Sequence, residues 1–134
     1  QEKKYLNINE HIDYWITSSE ADLETANKMF DSKFFDWCLF VGHLALEKLL
    51  KSIWIKANQQ IIPPKTHNLM KLAETSNLEL TEEQIEFLRL VNQFNIEARY
   101  QDIKDSFHKL ANEDFARTNL LKINEFYKWL KYQI

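Results

Sequence analysis

A row of polar residues near the middle of the chain has the spacing of one helix face. His43, Glu47 and Lys51 follow one another at intervals of four residues, and Lys48 lies beside them. Glu47 precedes Lys51 in the order that favours an ion pair between neighbouring helical turns. The row is therefore either a solvated face with one ion pair or a polar strip that meets a partner helix or an anionic ligand.

A second group of polar residues follows two consecutive prolines. Pro63 and Pro64 cannot continue the preceding helix, and Lys65, Thr66 and His67 come directly after them. If a short helix begins here, a lysine, a hydroxyl group and free backbone amides meet at its N-terminus, and this combination suits phosphate. The alternative is a rigid turn followed by an ordinary helix cap.

A third group lies where a long predicted helix ends. Arg99 and Tyr100 stand there among charged neighbours, and His108 is the next histidine along the chain. The guanidinium group of Arg99 either caps the last carbonyl groups of the helix or presents its planar fork to a phosphate. Because Tyr100 can stack on a base, this group suits a nucleotide or RNA ligand.

The composition excludes several kinds of functional site. The 134 residues include one glycine, Gly42, which is too few for a Rossmann-type or P-loop phosphate site. The single cysteine, Cys38, permits neither a disulfide within the chain nor a cysteine zinc cluster, and its apolar neighbours favour a buried structural thiol. The histidines are scattered, so we expect no metal and no cofactor. A net charge of −3 argues against a broad nucleic-acid-coating surface and leaves room for a local basic pocket.

Apolar residues recur with helical period along nearly the whole chain. They predict four long helices and one short helix, which run from about Glu10 to Phe30, Lys33 to Ala57, Thr66 to Thr75 (the short one), Glu82 to Ala98 and Glu113 to Tyr132. The segment from Arg99 to Ala111 has mixed charge and no clear period, so it is predicted to be irregular. With no strand pattern, repeat or domain break, residues 1–134 are expected to form one domain, an all-α up-and-down bundle of four long helices plus one short helix.

The start of the second predicted helix has more apolar surface than a small bundle easily covers. Residues Phe34 to Val41 are apolar nearly all round, which predicts a homodimer. The longer apolar stretch from Phe34 to Ile55 contains four charged residues, so we do not expect it to span a membrane. No signal peptide is recognisable, and a cytoplasmic location is therefore expected.

Several pieces of the chain, in their order and spacing, resemble a HEPN domain. They extend over about residues 11–132 and comprise Ala21–Ala26, Asp36–Lys51, Ile62–Leu69 and Glu97–Tyr100. The chain is similar to the small prokaryotic proteins of that family, which are themselves similar to the C-terminal domain of sacsin. The resemblance implies an all-α bundle and a homodimer. For many members it also implies a minimal nucleotidyltransferase partner, the two forming a toxin–antitoxin pair.

The resemblance also implies an activity on RNA. Many HEPN proteins are metal-independent ribonucleases in which an arginine is followed, after four to six residues, by a histidine, and both residues meet at the dimer interface. Other members lack this motif and are thought to bind nucleotides or RNA without cutting. Here eight residues separate Arg99 from His108, and Tyr100 stands where active members often carry a small polar residue. This departure argues against cleavage more than against the fold.

Three functions remain open. The first is a homodimer that acts with a minimal nucleotidyltransferase and holds a nucleotide or RNA phosphate through Lys48, Lys51, Lys65, Thr66, His67, Arg99 and Tyr100. The second is a metal-independent endoribonuclease, in which Arg99 stabilises the charged transition state and His108 acts as general base or acid. The third is a bundle that only pairs with another protein, which the four tryptophans also fit.

Overall fold

The computed structural model describes residues 7–99 and 101–134, except for the side chains of residues 98–99 and 101–104. The described part is a bundle of six helices without a strand, which confirms the predicted all-α fold. The helices are α1 (Ile8–Asp31), α2 (Phe35–Asn58), α3 (Leu69–Glu74), α4 (Glu82–Arg99), α5 (Gln101–Leu110) and α6 (Glu113–Tyr132).

The second helix, α2, is the centre of the bundle, and it contacts each of the other five helices. Cys38, Leu46 and Ile55 are fully buried although they lie on different sides of α2. This central position explains why the first half of α2 is apolar nearly all round, while Phe34 and Trp37 stay 56% and 37% exposed. No described helix combines the length and the hydropathy that crossing a bilayer requires.

The segment predicted to be irregular is largely helical, because it forms α5. Phe107 and Ala111 lie one turn apart and are both buried. The ring of Phe107 packs 5.8 Å from the ring of Phe94 on α4, measured between centroids. Only this narrow apolar stripe marks the helix in the sequence. The contact with α4 therefore stabilises a helix that local pattern alone does not indicate.

The short helix α3 begins three residues later than predicted, at Leu69 rather than Thr66. Its cap is Asn68, whose side-chain oxygen accepts hydrogen bonds from the amides of Met70 and Lys71. The asparagine cap ends the extended segment that follows the prolines and fixes where the helix starts. A capping box begins α4, because the side chain of Gln84 accepts from the amide of Thr81 and the side chain of Thr81 accepts from the amide of Gln84.

The single glycine lies where α2 packs closely against α6. A Cβ atom built on Gly42 would lie 2.9 Å from Cδ1 of the fully buried Ile123. Nonbonded carbon atoms pack at about 3.5–4.0 Å, so an added methyl group would force Ile123 to move. The absence of a side chain at this position therefore permits the helix crossing.

Replacing Gly42 with alanine is expected to lower the free energy of unfolding by about 1 kcal/mol, because overpacking outweighs the gain in helix propensity. The Ile123→Val substitution removes the Cδ1 atom that the new methyl group would meet. In that background Gly42→Ala is expected to be stabilising instead. Urea unfolding of the wild type, both single variants and the double variant measures this coupling. Equal effects of Gly42→Ala in both backgrounds would contradict it.

Candidate functional site

The polar row of α2 is buried, so the solvated-face interpretation is wrong. His43 is fully buried, and Glu47 and Lys51 are 5% and 9% exposed. The ammonium group of Lys51 lies 2.9 Å from Oε2 of Glu47 and 5.2 Å from the centre of the Trp15 ring. The other carboxylate oxygen, Oε1, lies 2.8 Å from Nδ1 of His67. These five side chains, called the Glu47 network below, join α2 to α1 and to the loop before α3.

His43 is fully buried within the Glu47 network. Its Nε2 lies 2.9 Å from the carbonyl oxygen of His67 and donates to it. Burial lowers the pKa of His43 to about 4, although the charge of Glu47 and the hydrogen bond to that carbonyl act in the opposite direction. Its Nδ1 is 3.9 Å from Oε1 of Glu47, which is too long for a hydrogen bond, and it has no other partner among the described residues.

Two of the predicted phosphate-binding lysines are already paired with carboxylates of the same chain. Lys51 is held by Glu47 as described, and Lys48 on the same helix lies 2.8 Å from Oδ2 of Asp22 on α1. The ammonium group of Lys48 also donates to Oγ of Ser18, at 2.8 Å. An incoming phosphate would have to compete with these carboxylates. Both lysines also contact α1, Lys48 through Asp22 and Lys51 through the ring of Trp15, so neither presents free charge.

The amides of Asn68, Leu69 and Met70, at the start of α3, are occupied rather than free. Oγ1 of Thr66 accepts from the amide of Asn68 at 3.1 Å, and Oδ1 of Asn92 on α4 accepts from the amide of Leu69 at 2.9 Å. The next amide, that of Met70, bonds to the Asn68 cap at 3.0 Å. A phosphate could use this turn only by displacing side-chain oxygens. Lys65 and His67 keep exposed side chains there, and that of Thr66 is half-buried.

A second polar pair lies at the opposite end of α2. Nδ1 of His108, on α5, is 3.1 Å from Oδ2 of Asp36, and Oδ1 of Asp36 accepts from the amide of Trp37 at 2.9 Å. Asp36 is 7% exposed, whereas 73% of the His108 side chain is exposed. Because a carboxylate only accepts, the proton of the neutral ring belongs on Nδ1. Asp36 therefore orients the exposed ring through Nδ1, and Nε2 makes no hydrogen bond within the described part of the chain.

Sequence reasoning singled out His108 and missed Asp36. The available signal was weak: Asp36 is an acid in the first turn of an otherwise apolar helix. The same carboxylate acts on Cys38, whose pKa is raised to about 12 by burial and by the charge of Asp36. The expectation that the thiol of Cys38 is buried is confirmed.

The predicted site residues do not all meet in one place. Asp36 and Glu47 are eleven residues apart on α2, which separates the two polar clusters by about 16 Å along the helix axis. Lys51 and His67 belong to the Glu47 network, and His108 belongs to the other end. The side chains of Arg99 and Tyr100 lie outside the described residues, although α4 ends at Arg99. Among the described side chains, no three of His, Cys, Asp or Glu are grouped as a metal site would require.

Comparisons with known proteins agree with this architecture. A family model described as HEPN domain matches residues 12–133. A crystal structure of TT1696 from Thermus thermophilus superimposes with a TM-score of 0.77. It is 16% identical in sequence, and the alignment covers 92% of this chain and 98% of that one. At this level of identity the likeness concerns the fold alone. No curated protein sequence matches the chain.

Proposed function

Because the chain belongs to the HEPN domain family, whose model matches residues 12–133, we propose that it is a homodimer that binds a nucleotide or an RNA phosphate. The binding site is the end of the bundle where His108 is held by Asp36. By its resemblance to other HEPN proteins, the chain acts together with a minimal nucleotidyltransferase as a toxin–antitoxin pair. This role suits a small cytoplasmic protein.

The exposed imidazole held by a buried carboxylate is the observation that carries this proposal. In the Asp36–His108 pair, Nδ1 of the ring is bonded to a buried carboxylate, and most of the histidine side chain is exposed. By contrast, Lys48 and Lys51 are held by acids of their own chain. When Nε2 is protonated as well, the ring of His108 can donate to an anionic ligand and keep its bond to Asp36, whereas each lysine would have to share its ammonium group with a carboxylate.

Two further residues of the chain carry groups that suit such a ligand. Arg99 is the last residue of α4, five residues after Phe94, whose ring contacts that of Phe107 on α5. The guanidinium group of Arg99 suits a phosphate, and the ring of Tyr100 suits a base. About 16 Å further along α2, Lys65, Thr66 and His67 are candidate contacts for a more distant part of an RNA strand.

The homodimer is supported by apolar surface at the same end of the bundle. Phe34 precedes α2 directly and is 56% exposed, and Leu110 ends α5 and is 54% exposed. Trp37 is 37% exposed one residue after Asp36. A second protomer that covers these side chains would remove apolar area from water. Light scattering is expected to show a dimer, and a monomer at tens of micromolar would contradict this part of the proposal.

Substituting His108 with alanine is expected to weaken the binding of single-stranded RNA roughly tenfold, which corresponds to the loss of one charge-assisted contact. Asp36→Asn is also expected to weaken RNA binding. The asparagine amide carries no negative charge and can donate as well as accept, so it no longer fixes the proton on Nδ1 of His108. Fluorescence anisotropy with a labelled oligonucleotide measures both effects. His11→Ala, on α1, is the matched control and should leave the affinity unchanged. No binding by the wild type at millimolar ligand would overturn the proposal.

A second candidate function is metal-independent RNA cleavage, and the orientation of His108 favours it. With the proton of the neutral ring on Nδ1 and directed at a carboxylate, Nε2 can accept a proton, as a general base for a ribose 2′-hydroxyl group must. Arg99 would then stabilise the charge that develops on the phosphate. RNA products formed with a chelator present, and lost in His108→Ala, would support cleavage. If the RNA binds but is not cut, the protein has the binding function without the cleavage activity.

A further inference from the structure

A groove between α4 and α6 lies on a part of the bundle that the proposed function does not use. Both helices pack against α2, and the space between them holds about 520 Å³. Its floor is aromatic: the rings of Phe87 and Phe126 are 6.0 Å apart, and those of Phe126 and Trp129 are 5.6 Å apart. Leu90, on the α4 side, is 39% exposed. This α4–α6 groove therefore offers a fixed apolar surface to a ligand.

The rim of the α4–α6 groove is acidic. Glu83 and Glu86 line it from α4 and Glu125 lines it from α6, against one lysine, Lys122. Glu86 is paired with Arg89 on its own helix. Glu83 and Glu125 make no ion pair within the described part of the chain, and both are exposed. An apolar floor between two unpaired acids thus favours a ligand that is apolar on one face and cationic at its edges.

We propose that the α4–α6 groove binds a basic amphipathic helix of a partner protein. Apolar side chains of that helix, three and four residues apart, would cover Phe87, Leu90 and Trp129. Lysines or arginines on its two flanks would pair with Glu83 on one side and Glu125 on the other. A second copy of this chain is a poor occupant, because a two-fold axis through the groove would bring these acids against their own copies. The net charge of −3 adds to that repulsion.

The test uses a synthetic peptide as the probe, a helix of about four turns with leucine on one face and lysine on the rest. Fluorescence anisotropy is expected to show that the wild type binds this peptide. A peptide of the same pattern with glutamate in place of lysine is expected not to bind. Combining Glu83→Lys with Glu125→Lys is expected to weaken binding by at least roughly tenfold. The matched control combines Asp13→Lys with Glu10→Lys on α1 and should bind as the wild type does.

A second pair of variants tests the apolar floor. Leu90→Asp, inside the groove, is expected to abolish peptide binding, whereas Leu121→Asp, on an exposed part of α6 outside it, is expected to leave binding intact. Circular dichroism checks that both variants fold. Equal affinity for the lysine and glutamate peptides, or equal loss in both leucine variants, would overturn the proposal. Conversion of a dimer to a monomer by Leu90→Asp would do so too, since the occupant would then be a second copy.

Discussion

Replacing Glu47 with alanine is expected to lower the free energy of unfolding by about 3–5 kcal/mol. Glu47 and Lys51 lie 2.9 Å apart inside the bundle, where only 6% and 11% of their side chains are exposed. Removing the carboxylate leaves the ammonium group of Lys51 as a buried charge without its counter-ion. It also removes the acceptor of His67, which ties the loop before α3 to α2.

The chain contains a matched control for this prediction. Glu24 and Lys28 on α1 have the same order and spacing, and their charged atoms are 3.0 Å apart, but 68% and 73% of their side chains are exposed. Because water solvates both charges, Glu24→Ala is expected to change the free energy of unfolding by less than about 0.5 kcal/mol. Urea unfolding followed by circular dichroism measures both variants. If Glu47→Ala and Glu24→Ala lower the free energy of unfolding by similar amounts, burial is not what makes the Glu47–Lys51 pair important.

A double substitution separates the effect of the buried charges on stability from the effect of side-chain volume. In Glu47→Leu combined with Lys51→Met, no buried charge remains and the volume is roughly kept. This variant is expected to recover most of the stability that Glu47→Ala loses. The side chain of His67 is 55% exposed, so water can replace the lost carboxylate there. Failure to recover would mean that the hydrogen bond to His67, and not the buried charge, dominates the effect.

The fold could be predicted from the sequence largely because its signals are local. Helical periodicity and side-chain caps depend on residues within one or two turns of one another, as at Thr81 and Gln84. The exception is α5, whose apolar stripe is too narrow to recognise without Phe94 packed against Phe107. That contact joins residues thirteen positions apart on two helices.

The candidate site was less predictable because its contacts are long-range. The spacing of His43, Glu47 and Lys51 showed that they share a face, but not that the face points inward. The burial of that face depends on how α1 and the loop before α3 cover α2. The pairing of Asp36 with His108 joins residues 72 positions apart and has no local signature. The amide of Leu69, at the start of α3, was counted as free because its acceptor, Asn92, lies on another helix.

Acidification is expected to destabilise the protein through His43. Its pKa is lowered from 6.5 to about 4 in the folded state, because burial disfavours the charged ring. Between these two values the unfolded chain binds a proton that the folded chain does not, so stability falls as the pH falls. The full contribution is present above about pH 6.5 and is lost as the pH approaches about 4. The expected loss over this window is about 3 kcal/mol.

A variant without an ionisable group at this position tests the assignment. His43→Gln keeps a donor for the carbonyl oxygen of His67 and cannot gain the charge that burial penalises, so its stability should depend less on pH over the same window. Urea unfolding at several pH values measures the slope in the wild type and the variant. His11→Gln, near the start of α1, is the matched control and should keep the wild-type slope. If the His43→Gln and wild-type slopes coincide, the buried ring is not what makes the fold sensitive to acid, and the burial argument for His43 is wrong.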